Sequence, residues 1–271
     1  MISVSGKKWQ ETLIDKRLID KVRIDTNLSE IQAKFILSRN FSEKEIYSIN
    51  NDVKIWNPFI SKYDFIVCNK ILKKHIEEKN KILVIGDYDV DGCVSTSLLV
   101  YFLEKISVTS SFYIPDRIHD GYGVNLKLIK KLVQKEKPKL VILVDCGSNS
   151  NDEINYLNKL KIESIIIDHH NINRPYPKST VLINPKKKCD YENYNYLCAS
   201  FLTYLFLDLF IKKNSLNISM KQFLIYVMMA TVTDVMPIRN INRFLSISVL
   251  KKFDLSNDFI IKKFFEIKKI K

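Results

Sequence analysis

The chain has 271 residues, of which 46% are hydrophobic and 27% charged, and its formal net charge is +13. This composition excludes an intrinsically disordered or fibrous protein, and it is sufficient for the core of one large domain or of one domain with an extension. The excess of Lys and Arg is compatible with a polyanionic partner such as nucleic acid, although an AT-rich genome would also enrich lysine.

Neither export nor membrane insertion is predicted. The first ten residues lack an apolar stretch and contain two lysines, unlike a signal peptide. The two most apolar segments, 197–211 and 223–236, are short and interrupted by Asp208 and Asp234, so we expect buried helices and no contact with a membrane. The five cysteines are odd in number and show no CxxC spacing, which predicts reduced thiols in a cytoplasmic protein.

Residues 1–80 are predicted to be mainly helical. The segment from Asn27 to Glu30 is typical of a helix start, and apolar residues follow it at helical spacing. The last helix of this part is expected over 64–78 and leads directly into a strand. We expect a helical extension packed on the main domain, because none of its residues converge on a chemical site.

From Lys81 onwards, strand and helix patterns alternate. Apolar runs predict strands at 82–86, 108–114, 139–144 and 162–167, and a further strand over 180–185. The intervening helices are expected over 93–106, 124–136 and 151–160. This alternation predicts an α/β fold with a doubly wound parallel sheet, followed by a helical C-terminal part.

The first of these strands ends in three carboxylates on alternate residues, Asp87, Asp89 and Asp91. If the extended geometry persists, all three point to the same side. Carboxylates so close together need a counter-charge, and hard cations such as Mg²⁺ or Mn²⁺ take carboxylate oxygens as ligands. The alternative is a solvated acidic turn, because Asp and Gly are ordinary turn residues.

Two more predicted strands deliver polar groups at their ends. Asp145 follows the third strand, with Gly147 close behind it. The fourth strand ends in Asp168, His169 and His170. In open α/β sheets the ligand site lies outside the carboxyl ends of the strands, so these side chains are expected to meet. Imidazole can ligate a metal and imidazolium can hold a phosphate, whereas the alternative is a pair of ordinary surface histidines.

A basic and aromatic loop follows over 186–196, where three lysines precede several tyrosines. Such a loop suits single-stranded nucleic acid, because charge follows the phosphates and rings stack on bases, but it is equally typical of a solvated loop. Asp234 ends a very apolar segment, and a buried charge there needs a partner. Residues 251–271 alternate apolar and Lys-rich positions, as in a surface helix or a connector.

Taken together and in order, these motifs closely resemble the four motifs of the DHH phosphoesterase family. They are Asp87 to Gly92, Asp145 to Gly147, Asp168 to His170, and Asp234. Shorter matching segments run along essentially the whole chain, at 5–9, 39–41, 57–59, 115–117, 120–123, 198–199 and 242–243. Within the family, the resemblance is to the bacterial single-strand-specific 5′ to 3′ exonucleases.

The resemblance implies a metal-dependent phosphodiesterase that degrades single-stranded DNA in repair and recombination, alongside partners such as a helicase or a single-strand-binding protein. It implies two Mn²⁺ or Mg²⁺ ions, held by Asp87, Asp89, Asp91, Asp145, His169 and Asp234. The catalytic residues would be His170, which contacts the scissile phosphate, together with Asp145 and Asp168. The expected substrate contacts are Arg117, Tyr122, Gly123, Lys186, Lys187 and Lys188.

Three segments are expected on the same basis: a helical extension over 1–80, the DHH domain over 81–250, and the start of a connector helix over 251–271. Domains that follow in the family would be absent. Two other functions stay open on the sequence alone. One is a phosphodiesterase of short oligonucleotides or dinucleotides, and the other is an inactive truncated remnant that binds nucleic acid.

Overall fold

The structure is a computed structural model that describes residues 2–8, 10, 12–121, 123–187, 192–254 and 258–268. The helices are α1 (Lys16–Thr26), α2 (Glu30–Ser38), α3 (Glu43–Tyr47), α4 (Tyr63–Glu77), α5 (Val90–Lys105), α6 (Leu126–Glu136), α7 (Asn151–Lys159), α8 (Ala199–Lys213), α9 (Leu224–Thr233), α10 (Asn240–Leu250) and α11 (Phe259–Lys268). The strands are β1 (Ile82–Ile85), β2 (Ser110–Tyr113), β3 (Leu140–Val144), β4 (Glu163–Ile167) and β5 (Val181–Ile183). None of the helices within the described ranges is long and apolar enough to cross a membrane.

The chain divides into two compact units. The first comprises Met1–Ile55 and Arg239–Lys251, and the second comprises Trp56–Ile238 and Lys252–Lys271. The predicted segment 1–80 is helical in its described part, from α1 to α4. Its boundary with the next segment, and the boundary at residue 250, stay predictions.

The second unit contains one five-stranded sheet in which all paired strands are parallel, in the order β2-β1-β3-β4-β5. This confirms the predicted fold class, including the strand expected over 180–185. Parallel order requires a crossover between successive strands. Helices α5, α6 and α7 supply the first three crossovers, whereas β4 and β5 are joined by a segment without a helix. The order reverses direction between β1 and β3, and that switch point is where α/β sheets place their ligands.

The centre of the sheet is buried on both faces, because β1 and β3 are fully buried apolar runs, whereas the edge strand β2 is partly exposed. On one face, alternate residues such as Leu83 and Leu143 pack in a cluster with Leu132 of α6 and Leu157 of α7. On the other face, α5 and α8 contact the central strands. This packing holds the carboxyl ends of the strands in place at one edge of the sheet, where a ligand site is expected.

The first unit contains a buried carboxylate, Glu45, in the first turn of α3. Ser42 caps this helix, and the Glu45 side chain accepts hydrogen bonds from the Ser42 backbone N–H at 2.8 Å and from its hydroxyl at 3.0 Å. Arg239 donates from Nε at 2.7 Å and Nη2 at 2.9 Å, and the Asn240 N–H donates at 2.9 Å. Glu45 therefore ties α3 to the start of α10. Burial raises the pKa of this carboxyl, but Arg239 and the other donors outweigh burial and lower the pKa to about 2.

Candidate metal centre

The acidic motif after β1 does not continue as a strand, so the expected alternation of its side chains is wrong. The strand ends at Ile85, and Asp89 is already the N-cap of α5, accepting the Gly92 N–H at 2.9 Å. Asp91 lies in the first helical turn. A Cβ on Gly92 would lie 2.4 Å from the backbone oxygen of Asp87, so only glycine allows the helix to start this close to the strand end.

Asp145 is a buried carboxylate of the site whose two oxygens both lack a hydrogen bond within the described part of the chain. It is 1% exposed. Burial, followed by the carboxylates of Asp91 and Asp89, raises its pKa to about 12. Its backbone has φ 58°, in the left-handed region that Asp tolerates better than most residues. A carboxylate held this way needs a cation, or a proton in its place.

His169 lies against this carboxylate and against a second one from the end of α9. Its Nε2 is 3.3 Å from Asp145 Oδ1, 3.3 Å from Asp234 Oδ2 and 3.7 Å from Asp91 Oδ2. Both ring nitrogens of His169 and the Oδ2 of Asp234 are buried without a hydrogen bond in the described part of the chain. Burial lowers the pKa of His169 and raises the pKa of Asp234, so the imidazole is held neutral, as a metal ligand requires.

These donors form three overlapping groups whose ligand atoms lie within 4.8 Å of one another. The groups are Asp87, Asp89 and Asp145; Asp91, His169 and Asp234; and Asp145, His169 and His170. Carboxylate and imidazole donors suit Mn²⁺ and Mg²⁺, and the unpartnered buried atoms are those that a cation would satisfy. The residues present therefore fit the predicted ions. The six predicted ligands all fall in these groups, and Asp145 and His169 each belong to two of them.

Asp91 has a second task that the sequence did not indicate. Its Oδ2 accepts the Ala199 N–H at 2.7 Å, and its Oδ1 accepts the Ser200 N–H at 2.8 Å. These are the first N–H groups of α8, whose N-cap residue Cys198 makes no side-chain capping bond. A carboxylate has about four lone-pair positions, so Asp91 can cap this helix and still face His169.

Asp168, unlike Asp145, accepts hydrogen bonds on both carboxylate oxygens. Its Oδ1 accepts the Nδ1–H of His170 at 2.8 Å and the backbone N–H groups of His169 at 2.7 Å and of His170 at 3.1 Å. Burial raises the pKa of Asp168, but the interactions with His170 and the hydrogen bond from Ser148 together outweigh burial and lower the pKa overall. The hydrogen bond to Asp168 raises the pKa of His170. Asp168 thus fixes the ring of His170, which is 39% exposed and lines the adjoining cavity.

Two further polar residues complete the site and were missed in the sequence. Asn184 directly follows β5 and is fully buried, and its Nδ2 donates to the backbone oxygen of His170 at 2.9 Å and to Ser148 Oγ at 2.6 Å. The N–H of Ser148 donates to Asp168 Oδ2 at 3.0 Å. Asn184 could have been found by the same strand-end rule that identified Asp145.

A cavity of about 630 Å³ opens beside the ligand groups. Its walls include Asp87, Asp145, His170 and Gly123, so Gly123 is the predicted substrate contact that the structure brings to this cavity. Its described lining does not include Arg117, whose guanidinium lies 5.3 Å from the ring centroid of Tyr88 instead. The predicted contact Tyr122 lies outside the described residues.

The predicted basic loop is only partly available to a ligand. The ammonium of Lys187 lies 2.6 Å from Asp64 Oδ2, and Tyr194 packs edge-on against Phe59 at 5.1 Å, so these two side chains tie the loop to the protein. Lys186 is exposed, and its backbone N–H donates to Asn184 Oδ1 at 2.8 Å. Lys188 lies outside the described residues.

The sheet order and the carboxylate and histidine groups at its switch point define the class of protein. The sequence profile of the DHH family, N-terminal domain, matches residues 81–231, and the chain belongs to that family. In sequence it is similar to the single-stranded-DNA-specific exonuclease RecJ of Bacillus subtilis, at 29% identity over 69% of this chain and 24% of the relative. It is 28% identical to RecJ of Escherichia coli over 65% of this chain and 32% of that protein.

Solved structures share the fold. RecJ from Thermus thermophilus in complex with Mn²⁺ superimposes with a TM-score of 0.71 and 21% identity, over 86% of this chain and 33% of that one. A structure of the same protein in complex with Mg²⁺ gives a TM-score of 0.60 at 19% identity, over 86% of this chain and 29% of that one. Both are complexes with the ions predicted here. The chain spans only about a quarter to a third of the length of the curated relatives above.

Proposed function

We propose that this chain is a metal-dependent phosphodiesterase that acts as a 5′ to 3′ exonuclease on single-stranded DNA, in repair and recombination. The observation that carries the proposal is a set of buried metal-ligand atoms on Asp145, His169 and Asp234 that make no hydrogen bond within the described part of the chain. A chain that leaves such atoms unsatisfied destabilises its own fold, and a divalent cation would remove that cost. Cations in this position, when bound, supply charge neutralisation and polarisation of a phosphodiester.

His170 is the residue of this chain best placed to act on the phosphate. Asp168 holds its Nδ1, which leaves Nε2 for a ligand in the cavity. The raised pKa of His170 favours imidazolium, and a cationic donor stabilises the negative charge that develops on a phosphate oxygen during cleavage. His170 would therefore orient the scissile phosphate and donate a hydrogen bond to it.

A single strand end fits the shape and charge of the site. A cavity of about 630 Å³ is in the range that takes one small ligand, comparable to one terminal nucleotide. The net charge of +13 favours a polyanion that extends beyond the cavity. The relatives named above are called single-stranded-DNA-specific exonucleases, and that supports the same substrate for this chain.

The test is cleavage of oligonucleotides labelled at the 5′ or the 3′ end, as single strands and as blunt duplexes, with Mn²⁺ or Mg²⁺. We expect the 5′ label to be released first as a mononucleotide, single strands to be preferred, and EDTA to abolish cleavage until metal is restored. Asp20→Ala, which changes an exposed carboxylate of α1, is the matched control for site variants. Cleavage in chelator would refute the metal dependence, equal cleavage of blunt duplexes would refute the strand preference, and activity on dinucleotides alone would assign the short-substrate class.

A further inference from the structure

Asn184 lies outside the ligand groups, and both the nitrogen and the oxygen of its side-chain amide are hydrogen-bonded to residues next to these groups. Its two donated hydrogen bonds go to the backbone oxygen of His170 and to Ser148 Oγ, and its oxygen accepts the N–H of Lys186. An amide offers two donors and an acceptor, so these bonds fix the side chain in one orientation. The residue is 0% exposed, which makes each of these bonds costly to lose.

These bonds close a ring of contacts around the imidazole of His170. Ser148 donates its N–H to Asp168 Oδ2 at 3.0 Å, and Asp168 Oδ1 accepts the Nδ1–H and the backbone N–H of His170. Asn184 then returns from Ser148 to the backbone oxygen of His170. The backbone of His170 is thus held on both sides, and the loops after β3, β4 and β5 are joined at one point.

We propose that Asn184 is a positioning residue that sets the direction of the His170 imidazole, a role that rests on the proposed function. The His170 ring is 39% exposed, whereas the side chains of His169 and Asp145 are 4% and 1% exposed and are confined by packing. An exposed ring takes its direction from the bonds behind it. Asp168 holds Nδ1 and the backbone N–H of His170 but not its backbone oxygen. Asn184 supplies the second anchor by holding the main chain from which the ring projects.

The first test is steady-state kinetics of Asn184→Ala with Mn²⁺ and a single-stranded substrate. We expect kcat to fall by about 10- to 100-fold, the usual cost of losing an outer-shell partner, while KM and Mn²⁺ affinity stay within about twofold of wild type. Asn184→Asp keeps the acceptor for Lys186 but loses both donors, so it should behave like the alanine variant. A kcat within about threefold of wild type, or a parallel loss of Mn²⁺ affinity, would overturn the role.

Two control variants separate positioning from stability. Asn158→Ala removes an exposed amide that makes a similar bond, from Nδ2 to the Lys178 oxygen at 2.9 Å, and should leave kcat unchanged. Val181→Ala weakens the packing of β5, the strand that carries Asn184, and should lower Tm without lowering kcat. A loss of kcat in Val181→Ala equal to that in Asn184→Ala would assign Asn184 a structural role only.

A readout independent of activity uses ¹⁵N-labelled histidine and NMR spectroscopy, with His170 assigned through His170→Gln. Wild type should show one set of His170 signals, with Nδ1 protonated and hydrogen-bonded to Asp168. Asn184→Ala should shift or broaden that signal while the His169 signals stay in place. If wild type cleaves nothing but the signal moves, the proposed function fails and the positioning role stands; an unmoved signal refutes the role. Ser148→Ala, which removes one acceptor of the amide, serves the same test if Asn184→Ala does not fold.

Discussion

Glu45 and Asp145 are both buried carboxylates, yet they differ in their hydrogen bonds and in the direction of their pKa shifts. Glu45 accepts five hydrogen bonds, two of them from Arg239, and its pKa falls to about 2. Asp145 accepts none from the described residues and faces other carboxylates, and its pKa rises to about 12. The protein satisfies the first carboxylate with its own donors, whereas the second needs a ligand.

The difference separates a structural charge from a binding charge without reference to any relative. A charge that stabilises a fold is surrounded by donors, because burial without them costs several kcal/mol. A carboxylate that binds a cation must keep its oxygens free of other partners, so it lowers the stability of the folded protein until a cation is bound. Removing the two carboxylates should therefore have opposite consequences for stability and for activity.

The largest expected effect is on activity at Asp145. Asp145→Ala should lower kcat/KM for a single-stranded substrate by about 1,000-fold or more, equivalent to about 4 kcal/mol, because a shared ligand is lost. Asp20→Ala should stay at the wild-type value. A kcat/KM within tenfold of wild type would show that Asp145 is not a metal ligand, and the contrast between Asp145 and Glu45 would fail.

The next largest effect is on stability at Glu45. Glu45→Gln should lower the free energy of unfolding at pH 7 by roughly 3 kcal/mol, because a pKa lowered from 4.5 to about 2 contributes that much. The folded pKa lies below the unfolded one, so the contribution is complete above about pH 4.5 and is lost as the pH falls towards 2. Urea unfolding between pH 2 and 7 measures this, and the variant should show a flatter dependence than wild type.

Metal binding should sharpen the contrast between the two residues. Mn²⁺ at 100 times its Kd should raise the free energy of unfolding of wild type by about 2.7 kcal/mol, since it binds the folded state. The increase should be absent in Asp145→Ala and unchanged in Glu45→Gln. Thermal unfolding with and without Mn²⁺ checks this, and an equal increase in all three proteins would show that the ions bind elsewhere.

The smallest effect reverses the usual sign of a mutation in a protein core. Without metal, Asp145→Asn should raise the free energy of unfolding by about 1 kcal/mol, because it removes a charge that burial and neighbouring carboxylates disfavour. Asn also tolerates the left-handed backbone at this position, where φ is 58°. Urea titration in EDTA is the measurement, and a loss of stability would mean that the carboxylate has a partner of its own.

The sequence was sufficient to predict the sheet and the strand ends that carry the site, because both depend on local patterns. Apolar runs marked the strands, and polar residues after Val144 and Ile167 marked the edge where ligands meet. It failed to predict that Asp91 leaves the strand, because the start of α5 depends on Asp89 capping the helix and on Gly92 packing against Asp87.

Contacts between distant residues could not be predicted from spacing. Glu45 and Arg239 are 194 residues apart, and no local pattern pairs them. Asn184 was missed for a different reason. The strand-end rule points to it, but a single asparagine after a short strand is also an ordinary turn residue. The sequence does not show its hydrogen bond to the backbone oxygen of His170 at 2.9 Å.

The capping of α8 by Asp91 has a consequence for the order of folding. The N–H groups of Ala199 and Ser200 bond to a carboxylate 108 and 109 residues earlier in the chain, so the start of this helix is fixed only after α5 has docked. Closing so long a loop is slow compared with forming a helix. Protection of these two amide protons from hydrogen exchange therefore reports when two distant parts of the chain have joined, whether or not a cation is bound.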